Sequence, residues 1–328
     1  MTASSPTTRV LVGGSGNADV ALSLTSASPI ERWLPSAGLA AALLICLAFP
    51  YVGIALTPGP FLIAAIALGL PHGAADGVIL LRQLRWRARL ARISGYLTLM
   101  VLAAVALVRH PEITLIGFLM LSWWHFGAAD ARGLSNDRIP AWYKGSWGFG
   151  RGGLAIATPF AVDPIAAWAP FTRLAELLGT PATLEMTWVG PAGTAATGAA
   201  LLSLSLSAAV PATARPRAFE WIETGLILMI GLLADPLFAV GSYFLLVHGF
   251  RQSALLGSEL MASRAASLTD RLIAVHRAAL PLLIPSWLGW ALLTQWSKPT
   301  DALDLAILSL AIYIIATPPH HLFHELSH

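Results

Sequence analysis

LGLPHGAADG, running from Leu68 to Gly77, sets a histidine and an aspartate four residues apart inside a run that otherwise reads as a membrane-spanning helix. Holding His72 and Asp76 in hydrocarbon is costly, so the pair is read as facing the protein interior rather than lipid. Three further stretches repeat the arrangement: SWWHFGAAD carries His125, FLLVHGFRQ carries His248, and ATPPHHLFHE carries His320 and His321. Each histidine lies late in its own apolar run, and His72, His125 and His248 belong to three different runs.

The chain around them has 328 residues, 56% hydrophobic and 11% charged. That balance lies outside soluble globular usage and inside the polytopic membrane class, so the predicted fold is an all-α transmembrane helical bundle. No strand alternation, coiled-coil heptad or solenoid-length repeat competes with it. Cys46 is the single cysteine, which excludes a disulfide framework and a cysteine-based zinc or iron–sulfur site. Arginines fall in short loops between apolar runs, a pattern of membrane orientation rather than of a nucleic-acid face, and no nucleic-acid partner is expected. Residues 1–30 are rich in Ser, Thr, Gly and Ala and read as a disordered cytoplasmic lead, leaving 31–328 as one membrane-embedded domain.

Ten apolar runs follow, each near the length a span requires: Leu34 to Leu56, Phe61 to Leu81, Ile93 to Val108, Ile113 to Ala129, Gly153 to Pro170, Trp188 to Val210, Phe219 to Ala234, Pro236 to Leu256, Ala278 to Leu293 and Ala302 to His321. The fifth is interrupted by Pro159, Asp163 and Pro164. Between the runs lie Arg82, Arg85, Arg87, Arg89 and Arg92, then Arg132, Arg138, Lys144 and Arg151, then Arg215 and Arg217, then Arg264, Arg271 and Arg277. Ten spans with both termini cytoplasmic put nearly all these basic clusters on one side.

In that topology His72, His125, His248 and His320 all lie on spans running outside to inside, at similar depth, and they can converge. A single intramembrane histidine is ordinarily a hydrogen-bonding residue between helices. Four in matched positions favour a shared metal site, and an all-imidazole donor set suits iron, copper or zinc. Asp76 and Asp130, four and five residues after His72 and His125, either accept the free ring N–H of a ligating histidine or pair with loop arginines. Trp123, Trp124, Phe126, Trp147, Phe149, Tyr243, Phe244 and Phe323 crowd the same level, as interfacial belt residues or as the lining of an apolar tunnel for a long lipid-soluble substrate. His110 reads as solvated in an outer loop and His276 as interfacial, at a depth that leaves open whether it or His321 joins the site. His324 and His328 read as a fraying tail.

The ordered set of motifs resembles the Brp/Blh family of membrane β-carotene 15,15'-dioxygenases. PHGAADG is similar to the family's Pro-His-Gly…Asp segment, WWHFGAAD to its His-Phe-Gly…Asp segment, HGFRQ to its third histidine motif and TPPH to its terminal Pro-His. GRGGLAIATPFAVDP is similar to its Gly- and Pro-marked middle segment. The resemblance implies oxidative cleavage of the central double bond of β-carotene by O2, giving two retinal molecules. It also implies a non-haem Fe(II) on His72, His125, His248 and His320, a bacterial inner membrane location, and a functional link to retinal-binding rhodopsins. One departure stands out: the family's third motif often reads His-x-x-Arg-His, and Gln252 occupies the place of the second histidine. Gln252 is accordingly read as supporting the site rather than binding metal. Other readings stay open: a different histidine-metal lipid oxidase such as a desaturase or hydroxylase, a b-type haem protein, or a transporter using His and Asp as a proton relay.

Overall fold

Prolines decide where many of the helices begin. Among the described residues, six of the fourteen α-helices start on one, at Pro29, Pro50, Pro58, Pro111, Pro164 and Pro236. The first turn of a helix tolerates the missing N–H, and the fixed φ of proline suits it. The structure, a computed structural model, describes residues 29–82, 84–132, 139–180, 187–208, 218–261 and 266–325. The predicted lead up to residue 28, Arg138, Arg215, Arg217, Arg264 and His328 lie outside the described residues, as do the side chains of Arg82, Phe323 and His324.

The helices are α1 (Pro29–Ala48), α2 (Pro50–Leu56), α3 (Pro58–Ile63), α4 (Leu70–Arg82), α5 (Trp86–Arg109), α6 (Pro111–Arg132) and α7 (Ala141–Val162), then α8 (Pro164–Leu177), α9 (Val189–Ala208), α10 (Ala218–Leu233), α11 (Pro236–Tyr243), α12 (Phe250–Leu260), α13 (Leu268–Ser297) and α14 (Ala302–Glu325). A π-helical turn, Ala64–Gly69, joins α3 to α4 in one rod, and a second, Phe244–Gly249, joins α11 to α12. No strand occurs among the described residues. The predicted apolar runs are largely helical where the residues are described, and among the described residues six helices are long and apolar enough to cross a membrane, or seven if one bent pair counts as a span. Leu97, Val101, Leu102 and Val105 of α5 are exposed, an apolar face that water would penalise and lipid would not.

The bent pair corrects the fifth predicted span. Gly153 to Pro170 is not one helix: α7 and α8 meet at 101°. Pro164 opens α8, and Asp163 at the corner accepts a hydrogen bond from the Ala166 N–H at 2.9 Å. The start also differs. Ala141 to Gly152, predicted to lie in a cytoplasmic loop, forms the first half of α7, and Arg151 there is 2% exposed in the bundle interior.

α7 is the buried axis of the molecule, packed between α6, α9 and α10. Its WGFGRGG stretch lets the α6 backbone approach closely, as small residues do between membrane helices. A Cβ placed on Gly127 of α6 would lie 2.7 Å from the Gly148 carbonyl carbon of α7. Gly127→Ala is therefore expected to destabilise the protein by about 1–3 kcal/mol, the usual cost of overpacking. Thermal unfolding of the detergent-solubilised protein reads the shift, and an unchanged midpoint would refute the tight contact.

Candidate metal centre

Three rods bring the histidines together. His72 lies in the first turn of α4, His125 late in α6, and His248 within the second π turn. One ring nitrogen from each lies within 4.8 Å of the other two, a separation that one metal ion can bridge. The ring centroids of His125 and His248 are 4.7 Å apart and those of His72 and His248 5.6 Å apart, both pairs edge-on.

The donor chemistry fits a cation. His72 Nδ1 lies 2.9 Å from the Leu68 carbonyl oxygen, which can only accept, so Nδ1 carries the proton and Nε2 keeps its lone pair. His248 is 1% exposed, and among the described residues neither of its ring nitrogens has a hydrogen-bond partner. Buried polar atoms without partners are rare because each forfeits its hydration, and a metal ion removes that cost.

The two π turns pack reciprocally, and each ends in a glycine. A Cβ on Gly69 would meet the Phe244 ring at 2.6 Å, and one on Gly249 would meet the Leu68 side chain at 3.1 Å. Only residues without a Cβ allow this approach, which brings the segments carrying His72 and His248 side by side. Single π turns occur often at functional sites, because the extra residue re-aims the following side chain.

α14 brings the tail histidines to the same place. The His321 ring centroid is 4.3 Å from that of His125 and that of His320, the predicted fourth ligand, 6.1 Å away; neither belongs to the group of three. His320 Nε2 instead faces Asp76 Oδ2 at 4.0 Å. Gln252 is half-buried one turn beyond His248.

Asp130 takes the second of its two predicted roles, pairing with one of the arginines placed between the apolar runs. Its Oδ2 accepts from Arg151 Nε at 2.7 Å and from the Tyr243 hydroxyl at 3.2 Å. Arg151 continues through Nη2 to Glu223 Oε1 at 2.6 Å and through Nη1 to the Thr224 hydroxyl at 2.7 Å. Arg251 clamps Glu223 from the other side with two hydrogen bonds of 2.8 and 2.7 Å. Asp130 lies five residues after His125, and Arg251 three after His248, so the ion pairs tie together the two helical segments that carry these histidines. Sequence reasoning missed Arg151, Glu223 and Arg251 as site support; the Glu in an apolar run at α10 was the available signal.

The predicted aromatic set divides. Phe126 and Phe244 are buried, with ring centroids 4.6 and 5.9 Å from that of His248. Tyr243 is buried against Phe126 and bound to Asp130. Trp123 is half-buried and donates from Nε1 to the Phe149 carbonyl at 2.7 Å, while Trp124 is 61% exposed and turned from the site. His276 does not join the histidine group; both its nitrogens face backbone carbonyl oxygens.

Fold and site together define an all-helical membrane protein whose interior holds a three-histidine group suited to one metal ion. The chain belongs to the beta-carotene 15,15'-dioxygenase family, whose description matches residues 63–326, and it is an oxidoreductase of the dioxygenase class. It is 28% identical over 303 residues to the probable beta-carotene 15,15'-dioxygenase Blh of Halobacterium salinarum, covering 82% of this chain and 84% of that protein. A shorter match, 38% identical over 69 residues, covers 20% of this chain and 25% of the beta-carotene 15,15'-dioxygenase of an uncultured marine bacterium. No solved structure matches.

Proposed function

We propose that this protein cleaves the central 15,15' double bond of β-carotene with O2 at a histidine-bound non-haem Fe(II), giving two molecules of retinal. The convergence of His72, His125 and His248, with both nitrogens of His248 lacking partners, carries this reading, and membership of the family supports it. His320 or His321 of α14 supplies a fourth imidazole in place of the family histidine that Gln252 replaces; the shorter distance of His321 from His125 favours it. The protein spans the bacterial inner membrane ten times with both termini cytoplasmic, and its retinal serves a rhodopsin.

In the reaction, the C15=C15' bond breaks and each carbon gains one oxygen atom of O2, so the atoms balance without water or a leaving group. No proton is gained or lost overall, which accords with a site that holds imidazoles and no nucleophile. Bound ferrous iron would supply the one-electron chemistry that lets O2 react with a polyene. The Leu68 carbonyl holds the His72 tautomer whose Nε2 lone pair would be free to bind the metal. Phe126 and Phe244 beside His248 exclude water and offer an apolar wall along which a polyene can lie.

Expression of the full chain in a β-carotene-accumulating bacterial host is expected to produce retinal, measured by chromatography. Intact β-carotene beside a correctly inserted protein would sink the assignment. In the same host, Gln252→His is expected to leave the yield nearly unchanged, because α14 already provides an imidazole. A large rise would show instead that the site lacks a ligand.

A further inference from the structure

Three backbone carbonyls in or beside the first π turn are each taken by a side chain. The Tyr313 hydroxyl of α14 donates to the Ala65 carbonyl at 2.8 Å. His276 Nε2 of α13 lies 2.9 Å from the Ala67 carbonyl, with its Nδ1 2.8 Å from the Leu272 carbonyl of its own helix. His72 Nδ1 takes the Leu68 carbonyl at 2.9 Å. Pro71, four residues after Ala67, has no N–H to return an α-helical bond, which leaves the Ala67 carbonyl open to an outside donor.

We propose that Tyr313 and His276 are positioning residues that hold the first π turn and thereby aim His72 at the metal. This rests on the metal reading above. The carbonyl that fixes the His72 tautomer, Leu68, belongs to the same turn that Tyr313 and His276 grip, so a shift of the turn moves the acceptor and the imidazole together. Both nitrogens of His276 point at backbone carbonyl oxygens and neither at the histidine group, so the residue, donating from Nε2 to Ala67, acts on the site through the backbone and not as a ligand.

Tyr313 reaches further. Its ring stands 5.3 Å from that of Phe244, and its Cζ would meet a Cβ on Gly69 at 3.0 Å. It therefore wedges between the two π turns, touching the segment of His72 and that of His248 at once. It also precedes His320 by seven residues, two turns of α14, and so docks the helix that brings the tail histidines in.

The test uses the full chain in lipid nanodiscs with Co2+ as the probe, comparing the parent with Tyr313→Phe, His276→Leu and His276→Gln. The d–d absorption of Co2+ reports the ligand geometry directly, and a titration gives the affinity per folded molecule. Tyr313→Phe and His276→Leu are expected to weaken Co2+ binding by about 10–100-fold, the usual effect of losing a partner that orients a metal-bound histidine, and to alter the absorption band. His276→Gln is expected to recover much of the loss, since its amide N–H can still reach the Ala67 carbonyl. Unchanged Co2+ affinity and spectrum in Tyr313→Phe and His276→Leu, with only a lower thermal midpoint of the metal-free protein, would assign the two residues a structural role and overturn the proposal. A parent that binds no Co2+ would overturn the metal reading itself.

Discussion

His248→Ala is expected to abolish retinal formation and to strip the purified protein of iron. The imidazole stands at the centre of the group, edge-on to both His125 and His72, so its removal takes a donor from the middle of the cluster. Loss of a residue that merely orients a ligand costs roughly 10–100-fold in metal affinity or activity, and loss of the ligand itself should exceed that. A second consequence separates a metal site from a structural histidine. Without a metal the two buried nitrogens of His248 have no partner among the described residues, a burden of about 1–3 kcal/mol for an unsatisfied buried group. His248→Leu, close in volume and without polar atoms, is therefore expected to raise the thermal midpoint of the chelator-treated protein while eliminating iron binding. Iron content measured by elemental analysis and thermal unfolding with chelator check both parts. Iron retained at the parental level in His248→Ala would exclude the site.

The histidines were legible from sequence because hydrocarbon makes them so. An imidazole deep in an apolar run needs a reason, and His72, His125 and His248 each stood alone in such a run before the structure brought them together. The spacing within a run could not show the π turns. Pro71 in LIAAIALGLPHG lacks the N–H that would bond the Ala67 carbonyl, a visible sign of an irregular turn, whereas YFLLVHGFRQ carries no such residue; packing shapes both turns, with Gly69 and Gly249 each receiving a side chain of the other turn. Tyr313 was invisible for the same reason, since its acceptor lies 248 positions away in the chain.

Charge misled where it was buried. Arg151 reads from sequence as a loop marker because a basic residue near a weak apolar run normally lies at the membrane surface. In the fold its guanidinium is surrounded by Asp130, Glu223 and Thr224, partners that lie on α6 and α10 and that no local pattern around α7 announces. The same pairing draws Asp130 towards α7. Asp163 and Pro164 were legible as an interruption, yet only the structure shows that they turn the chain through 101°.

Glu223→Ala is expected to destabilise the protein by about 3–5 kcal/mol, the usual cost of removing one partner from a buried ion pair. Glu223 is 0% exposed and holds Arg251 with both oxygens and Arg151 with one, so its loss leaves the Arg251 guanidinium without its carboxylate in the interior. The exposed pair offers a control. Glu176, 50% exposed and paired with the half-exposed Arg173 one turn away on α8, should lose only about 0–1 kcal/mol on replacement by alanine, because water and salt screen it. Most of the Glu223 penalty comes from uncompensated charge, so Glu223→Gln combined with Arg251→Met is expected to be more stable than Glu223→Gln alone. Denaturant unfolding in mixed micelles measures all four proteins. A Glu223→Ala variant within about 1 kcal/mol of the parent, the level of an exposed pair, would show that the network contributes nothing to holding the bundle. Because Asp130 follows His125 and Arg251 follows His248, the same substitution lets the two helical segments move independently. Iron retention should then fall at temperatures where the helices are still intact by circular dichroism, so the site is lost before the fold.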